Sequence, residues 1–174
     1  MMPKIAIVGP ESCGKTTLCT ALSANFRAPW VPEFARTYLG ERDGRYTRDD
    51  LPAIAEGQCA EEDAASEGSP PLLFCDTDMI TIRIWSEEKF GTCDPRILSL
   101  SERRHYDHWL LCRPDVPWEP DPLREHPQDR DRLFLVYERM LAYLRKPYTI
   151  IQGPHDMRLT AAIVSVKAHV PGYG

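Results

Sequence analysis

The sequence predicts an α/β fold, a doubly wound and mostly parallel five-stranded sheet flanked by helices and carrying a lid loop. Three observations predict it. Short runs rich in Ile, Val and Leu alternate with segments whose apolar residues recur at helical spacing. A glycine-rich loop joins the first such run directly to the first helix. No stretch nears the roughly 18 apolar residues of a membrane span, and no internal repeat is visible.

The elements follow in order. Residues 4–9 form a buried strand bounded by Gly-Pro, and residues 15–26 a helix carrying Leu18, Leu22 and Phe26 on one face. Residues 30–33 give a short second strand. From Leu51, small or apolar Ile54, Ala55 and Cys59 alternate with acids through Asp63, which predicts an amphipathic helix with Asp49 or Asp50 near its start. After a Gly-Ser-Pro-Pro linker, residues 72–75 form a third strand ending on Asp76-Thr77-Asp78. A helix with Ile80, Ile84 and Trp85 comes next, then a fourth strand at 109–112. A proline-rich, charged loop follows. Residues 130–146 predict a helix with Leu133, Tyr137, Met140, Leu141 and Leu144 on one face. A fifth strand at 148–152 and a helix at 157–169 close the chain.

The 174 residues, 43% hydrophobic and 27% charged, suit one domain over 1–174 with a sizeable core. A net charge of −5 argues against a broad nucleic-acid-binding face. The six cysteines form no C-x-x-C pair and no zinc spacing, so they read as reduced thiols. The N-terminal apolar run is too short for a signal peptide. The expectation is a cytoplasmic protein without nucleic-acid or membrane partners; the sequence does not fix an oligomeric state.

The segment Gly9-Pro-Glu-Ser-Cys-Gly-Lys-Thr fits G-x-x-x-x-G-K-[ST] in full, between a strand and a helix. Its glycines let backbone N–H groups turn toward phosphate oxygens, and the helix N-terminus adds partial positive charge. We assign Gly9, Glu11, Ser12, Cys13, Gly14, Lys15, Thr16 and Thr17 to binding ATP. Lys15 would reach the β- and γ-phosphates, and the Thr16 hydroxyl would ligate Mg²⁺. Asp76, at the end of the third strand, is placed as a second metal-holding acid. Asp78 is placed either as the cap of the next helix or beside the substrate.

This loop alone does not separate kinases, GTPases and motor ATPases. The N-K-x-D motif of GTPases is absent, and the chain is short for an AAA+ module with its helical lid domain. A small-molecule kinase needs an acceptor site and a closing basic loop. Val31-Pro-Glu-Phe-Ala-Arg offers the first, with Glu33 as base for an attacking hydroxyl and Arg36 to orient substrate. A surface Glu–Arg pair at (i, i+3) would give the same pattern. Residues 113–132 offer the lid, with Trp118, Arg124 and Arg130; arginines brought onto phosphates offset developing charge. A solvated loop is the alternative. In the turn after the last strand, Gly153 and Arg158 are placed beside the nucleotide base, against a plain turn with Asp156 as cap.

Together, Gly9-Pro-Glu-Ser-Cys-Gly-Lys-Thr-Thr-Leu, Val31-Pro-Glu-Phe-Ala-Arg, Ile54-Ala-Glu-Gly-Gln, Phe74-Cys-Asp-Thr-Asp with Thr81, and Pro114-Asp-Val-Pro-Trp with Asp121, Arg124 and Arg130 resemble the ribosylnicotinamide kinase domain of NadR-type proteins. The resemblance implies ATP- and Mg²⁺-dependent phosphorylation of the 5′-hydroxyl of nicotinamide riboside, giving nicotinamide mononucleotide for NAD synthesis. It sets Glu33, Arg36 and Asp76 at the ribose and phosphoryl centre. Trp118 would then offer its indole face to the cationic pyridinium, or simply anchor the lid. Two departures stand out. There is no room for an adenylyltransferase or DNA-binding domain and no H-x-G-H motif, and Cys13 occupies a loop position where related sequences carry a small hydroxyl or Ala. A kinase for another nucleoside or small alcohol, and a nucleotide-dependent regulatory ATPase, are the alternatives.

Overall fold

The computed structural model describes residues 2–125, 127–170 and 172. Five strands, β1 (Lys4–Val8), β2 (Trp30–Val31), β3 (Leu73–Asp76), β4 (His108–Cys112) and β5 (Tyr148–Ile151), form one sheet in the order β2-β3-β1-β4-β5. Every pairing is parallel, so the sheet is wholly rather than mostly parallel. β1 lies at the centre, with Ile7 opposite Asp76 on one side and Leu110 on the other.

Alternation along β1 decides which layer each side chain joins. Ile5 and Ile7 pack with Leu18, Leu22, Ala162 and Val166 of α1 (Lys15–Phe26) and α7 (His155–His169). Ala6 and Val8 face the opposite layer, with Ile80 and Ile84 of α4 (Met79–Phe90) and Phe134, Tyr137 and Leu141 of α6 (Arg130–Tyr143). Helices on both faces make the sheet doubly wound. A third apolar cluster joins α2 (Phe34–Gly40), α3 (Leu51–Glu67) and α4 to α5 (Pro95–Arg103).

Two helices exceed the sequence expectation. α2 begins directly after a β2 of only two residues, so the strand expected over 30–33 stops at Val31. α5 opens on Asp94, whose side chain accepts from the Arg96 N–H, with Pro95 in the first turn. The alternating acids of α3 also mislead at one position: Glu62 is fully buried, held by Arg104 at 3.2 Å and the Tyr106 hydroxyl at 2.8 Å. Among the described residues, no helix is long and apolar enough to cross a membrane.

In a parallel sheet of this kind, ligands bind beyond the carboxyl ends of the strands, where chain direction around the sheet reverses. The carboxyl end of β1 carries the glycine-rich loop, and β3 beside it carries Asp76.

Candidate active site

A cleft of about 420 Å³ opens over these strand ends. The loop 9–16 forms its floor. Gly9 has φ +142°, and a Cβ there would lie 2.6 Å from the Cys112 carbonyl oxygen, so only glycine lets the loop leave β1 this close to β4. Gly14, at φ +83°, turns the chain into α1. Lys15 Nζ donates to the carbonyls of Gly9 at 3.0 Å and Pro10 at 2.9 Å, folding its charge back over the loop. Burial opposes that charge, but Cys13, Glu33 and Asp76 around it hold the ammonium firmly protonated.

Cys13 is fully buried among backbone and side chains yet borders the cleft. Burial pushes its thiol up, while a hydrogen bond with Cys112 and the charges of Lys15 and Arg158 pull it down to about 7. Glu11, Ser12 and Thr17 line the same wall.

Thr16 Oγ1 donates to Asp76 Oδ2 at 2.5 Å. Asp76 Oδ1 is buried and lacks a hydrogen-bond partner among the described residues. Burial raises the Asp76 pKa against the pull of Lys15 and Thr16. A buried oxygen left without a donor, next to a hydroxyl, is the hard oxygen set that Mg²⁺ takes together with phosphate oxygens and water. The residues therefore fit such an ion.

Glu33 and Arg36 line the cleft across from the loop. Glu33 heads α2, and burial raises its carboxyl pKa against the pull of Lys15. The two are paired as the (i, i+3) spacing suggests, at 3.5 Å, but Arg36 also bonds Asp121 at 2.9 Å. The pair is thus part of the cleft wall rather than an isolated surface contact.

Residues 113–125 lie down on the glycine-rich loop. The Glu119 N–H donates to Ser12 Oγ at 2.9 Å, and the Glu125 N–H to Glu11 Oε2 at 2.9 Å. Arg124 borders the cleft beside Ser12 Oγ at 3.4 Å, bonds the Glu119 carbonyl, and has a buried Nε without a hydrogen-bond partner among the described residues. It is well placed to meet an anion.

Four expectations need correction. Arg130 donates to the Ser12 carbonyl at 3.0 Å and the Val116 carbonyl at 3.1 Å and is absent from the cleft lining, so it ties α6 and the segment before it to the glycine-rich loop. Trp118 also lies outside the lining; the Arg124 and Arg130 guanidiniums sit 5.8 and 5.7 Å from its ring centroid, giving the indole two cations within the protein. Asp78 is fully buried: one carboxylate oxygen caps α4 through the Thr81 N–H at 2.9 Å, and the other accepts from the Trp109 indole at 2.7 Å. Of its two assigned roles, the cap is the one it performs. Gly153 bonds Asp115 at 2.7 Å outside the cleft, whereas Arg158 does border the cleft but is buried with its donors on protein acceptors. Arg158 Nε meets the Gly153 carbonyl at 2.7 Å, Nη1 the Cys13 carbonyl at 2.8 Å, and Nη2 the Arg113 carbonyl and Asp115. It clamps the loop from below rather than offering a free fork to a base.

The sequence reading missed the far wall of the cleft. Thr81, Ile84, Trp85 and Glu88 of α4 line it with Leu133 and Tyr137 of α6. Their helical spacing was visible, but periodicity cannot tell a core-facing stripe from a cleft-facing one.

A model described as AAA domain matches residues 4–158. The match is carried by the P-loop domain itself, so the length argument against a module with a helical lid domain does not place the chain outside that family. The trifunctional NAD biosynthesis/regulator protein NadR of Salmonella typhimurium (strain LT2) is 30% identical over 172 residues, covering 94% of this chain but 42% of its own length. The chain thus spans less than half of that relative. Crystal structures of NadR protein superpose with TM-scores of 0.79, in complex with NR, and 0.78, in complex with NAD and AMP-PNP. Both are 22% identical and cover 98% and 97% of this chain, and 51% and 50% of the NadR chains. Deoxyadenosine kinase from M. mycoides with bound dATP superposes at 0.69 with 12% identity, covering 94% of this chain and 98% of its own. A matching model over nearly the whole P-loop domain, together with the geometry of loop, acid and cleft, leads to one conclusion: the chain belongs to the AAA domain family of P-loop proteins, and within it resembles NadR.

Proposed function

We propose that this protein is a P-loop phosphotransferase that uses ATP and Mg²⁺ to phosphorylate the 5′-hydroxyl of nicotinamide riboside. One observation carries the reading. Glu33, Lys15 and Thr16 line one cleft, with Asp76 buried behind Thr16 and bonded to it, and Arg124 on a segment docked to the loop. A carboxylate facing a glycine-rich loop across one cleft supports a proton acceptor opposite a phosphate cradle, which a nucleotide switch does not need. The NadR structures with NR and with AMP-PNP, and the NadR relative, support the choice of acceptor and donor.

In this reading Lys15 exchanges its two carbonyl partners for phosphate oxygens, and the loop N–H groups hold the β- and γ-phosphates. Thr16 and Asp76 hold Mg²⁺, which when bound offsets the phosphate charge. Glu33 takes the proton of the 5′-hydroxyl as that oxygen bonds to the γ-phosphorus and the bond to the β-bridging oxygen breaks, releasing ADP. A carboxyl raised by burial is a better proton acceptor than an exposed one, provided it is ionised. Activity should therefore fall as pH drops through the raised Glu33 pKa, with the acid limb above the ordinary glutamate range. Arg36 and Asp121 hold each other across the acceptor end, and lid closure excludes water.

The test is ADP release with Mg-ATP against nicotinamide riboside, other nucleosides and nucleotides. Stimulation by nicotinamide riboside is expected. Stimulation by none would sink the kinase reading, and stimulation by another nucleoside alone would sink the substrate. Lys15→Ala should abolish turnover. Glu33→Gln should keep ATP binding and lower kcat by about 10²-fold or more; an unchanged kcat removes Glu33 as base.

A further inference from the structure

Along α4, Thr81, Ile84, Trp85 and Glu88 recur at the spacing of one helix face, and all four line the cleft. The row begins just past Asp76 and extends about 10 Å along the helix axis. Its outer end is a built wall. The Trp85 indole N–H donates to the Tyr46 hydroxyl at 2.8 Å, and the two rings meet edge to face at 4.8 Å. Phe90 lies edge-on to Tyr46 at 6.1 Å, and Lys89 sits 4.1 Å from the Tyr46 ring centroid. The Tyr46 hydroxyl in turn donates to Glu125 Oε2 at 3.2 Å, and Lys89 pairs with Glu125 at 2.6 Å. The Glu125 N–H then reaches Glu11 of the glycine-rich loop.

This arrangement has a chemical consequence. An indole usually presents both an apolar body and a hydrogen-bond donor. Here the donor is consumed by Tyr46, so Trp85 offers the cleft ring surface alone. A hydroxyl acceptor small enough to need only Glu33 and Arg36 has no use for such a surface about 6 Å along the wall from Thr81; a planar ring attached to a sugar does. Trp118 cannot serve, being outside the cleft between two arginines.

We propose that Trp85 is the ring-recognition residue of the acceptor site, that Tyr46 is its positioning residue, and that the acceptor is a planar heterocycle carried on a hydroxyl-bearing sugar. The proposal rests on the kinase reading above and adds where the acceptor's ring sits. It also ties that position to the donor end: the wall is fixed through Glu125 to Glu11, so ring binding and lid seating share contacts.

The experiment is steady-state kinetics with Mg-ATP and nicotinamide riboside. Trp85→Leu should raise the acceptor KM about tenfold or more while the ATP KM stays within about twofold. Trp85→Phe, which keeps a ring, should recover much of the loss. Tyr46→Phe keeps the ring contact but frees the indole N–H, and should raise the acceptor KM by about threefold. An unchanged acceptor KM in Trp85→Leu overturns the proposal while leaving the kinase reading intact. Should that variant fail to fold, quenching of tryptophan fluorescence by nicotinamide riboside decides the matter. The quench should be lost in Trp85→Phe, and a quench of unchanged size overturns the assignment. Failure of the wild type to turn over any nucleoside instead defeats the kinase reading, and the quench then tests the ring wall by itself.

Discussion

Cys13 shows how one residue can sit in a glycine-rich loop without disturbing its shape and still change its chemistry. The residue borders the cleft, and its buried sulfur lies 4.0 Å from Lys15 Nζ. The thiolate is populated above a pH of about 7, whereas burial pushes Cys19 and Cys75, and the hydrogen bond to Cys13 together with burial pushes Cys112, well above the ordinary thiol value. Alkylation by iodoacetamide at pH 8 should therefore select Cys13 over those three, with a rate midpoint near 7. Mg-ATP should protect it, and peptide mapping should show that protection lost in Lys15→Ala. Labelling that ignores ATP would place the sulfur outside the phosphate site. Cys13→Ser should abolish the labelling, since a hydroxyl keeps the size and loses the nucleophile.

At the scale of elements, the glycine-rich loop is shaped by neighbours far away in sequence. Gly9 rests against the Cys112 carbonyl of β4, Arg158 of α7 holds the Cys13 carbonyl, and the lid holds Ser12 from above. Arg158 is the hub, joining α7, the β5–α7 turn, the segment after β4 and the loop. Arg158→Met would keep most of the aliphatic bulk while stranding three carbonyls and Asp115. The expected cost is about 2–4 kcal/mol in denaturant unfolding, with ATP affinity reduced at least about tenfold. Wild-type affinity in a destabilised Arg158→Met protein would show that the loop holds its shape without the clamp. Arg158 illustrates one rule: a guanidinium whose Nε, Nη1 and Nη2 already meet carbonyls and a carboxylate shapes a site rather than offering a free fork to a ligand.

For the whole molecule, the sheet is stapled at the end away from the cleft by polar groups inside the fold. Glu62 joins α3 to Arg104, Lys4 and Tyr106. His108 of β4 is buried, bonded to Thr149 of β5 at 2.8 Å and stacked on His169 of α7 at 3.8 Å. Burial and the neighbouring His169 lower its pKa to about 4. A histidine whose folded pKa lies below its unfolded value of 6.5 binds protons more readily when unfolded, so stability is complete above 6.5 and falls as pH drops toward 4. The loss should reach about 3 kcal/mol at pH 4. His108→Gln should flatten the stability profile between pH 6.5 and 4 in urea titrations; an identical profile would place the acid sensitivity elsewhere.

The alternation of strand and helix, the loop 9–16 and Asp76 at a strand end were legible because each is written in contiguous residues. A five-stranded parallel sheet and a phosphate cradle need little more than period, spacing and a glycine pattern to be recognised. Glu33 and Arg36 were found because their segment follows a strand at the same sheet edge. What stayed hidden depends on pairs distant in the chain. The helical stripe of α4 reads alike whether it faces core or cleft, and only its packing against α6 and Tyr46 makes Trp85 a wall. The acid at 62 looks solvated until Arg104 is brought beside it, forty-two positions away. Asp78, Trp118, Arg130, Gly153 and Arg158 carried the right chemistry for the site, yet tertiary contacts had already used their donors, acceptors or faces. Local sequence thus determined the fold class and the phosphate end of the site. Tertiary structure decided which polar groups face the cleft, because partners distant in the chain meet only when the helices pack on the sheet.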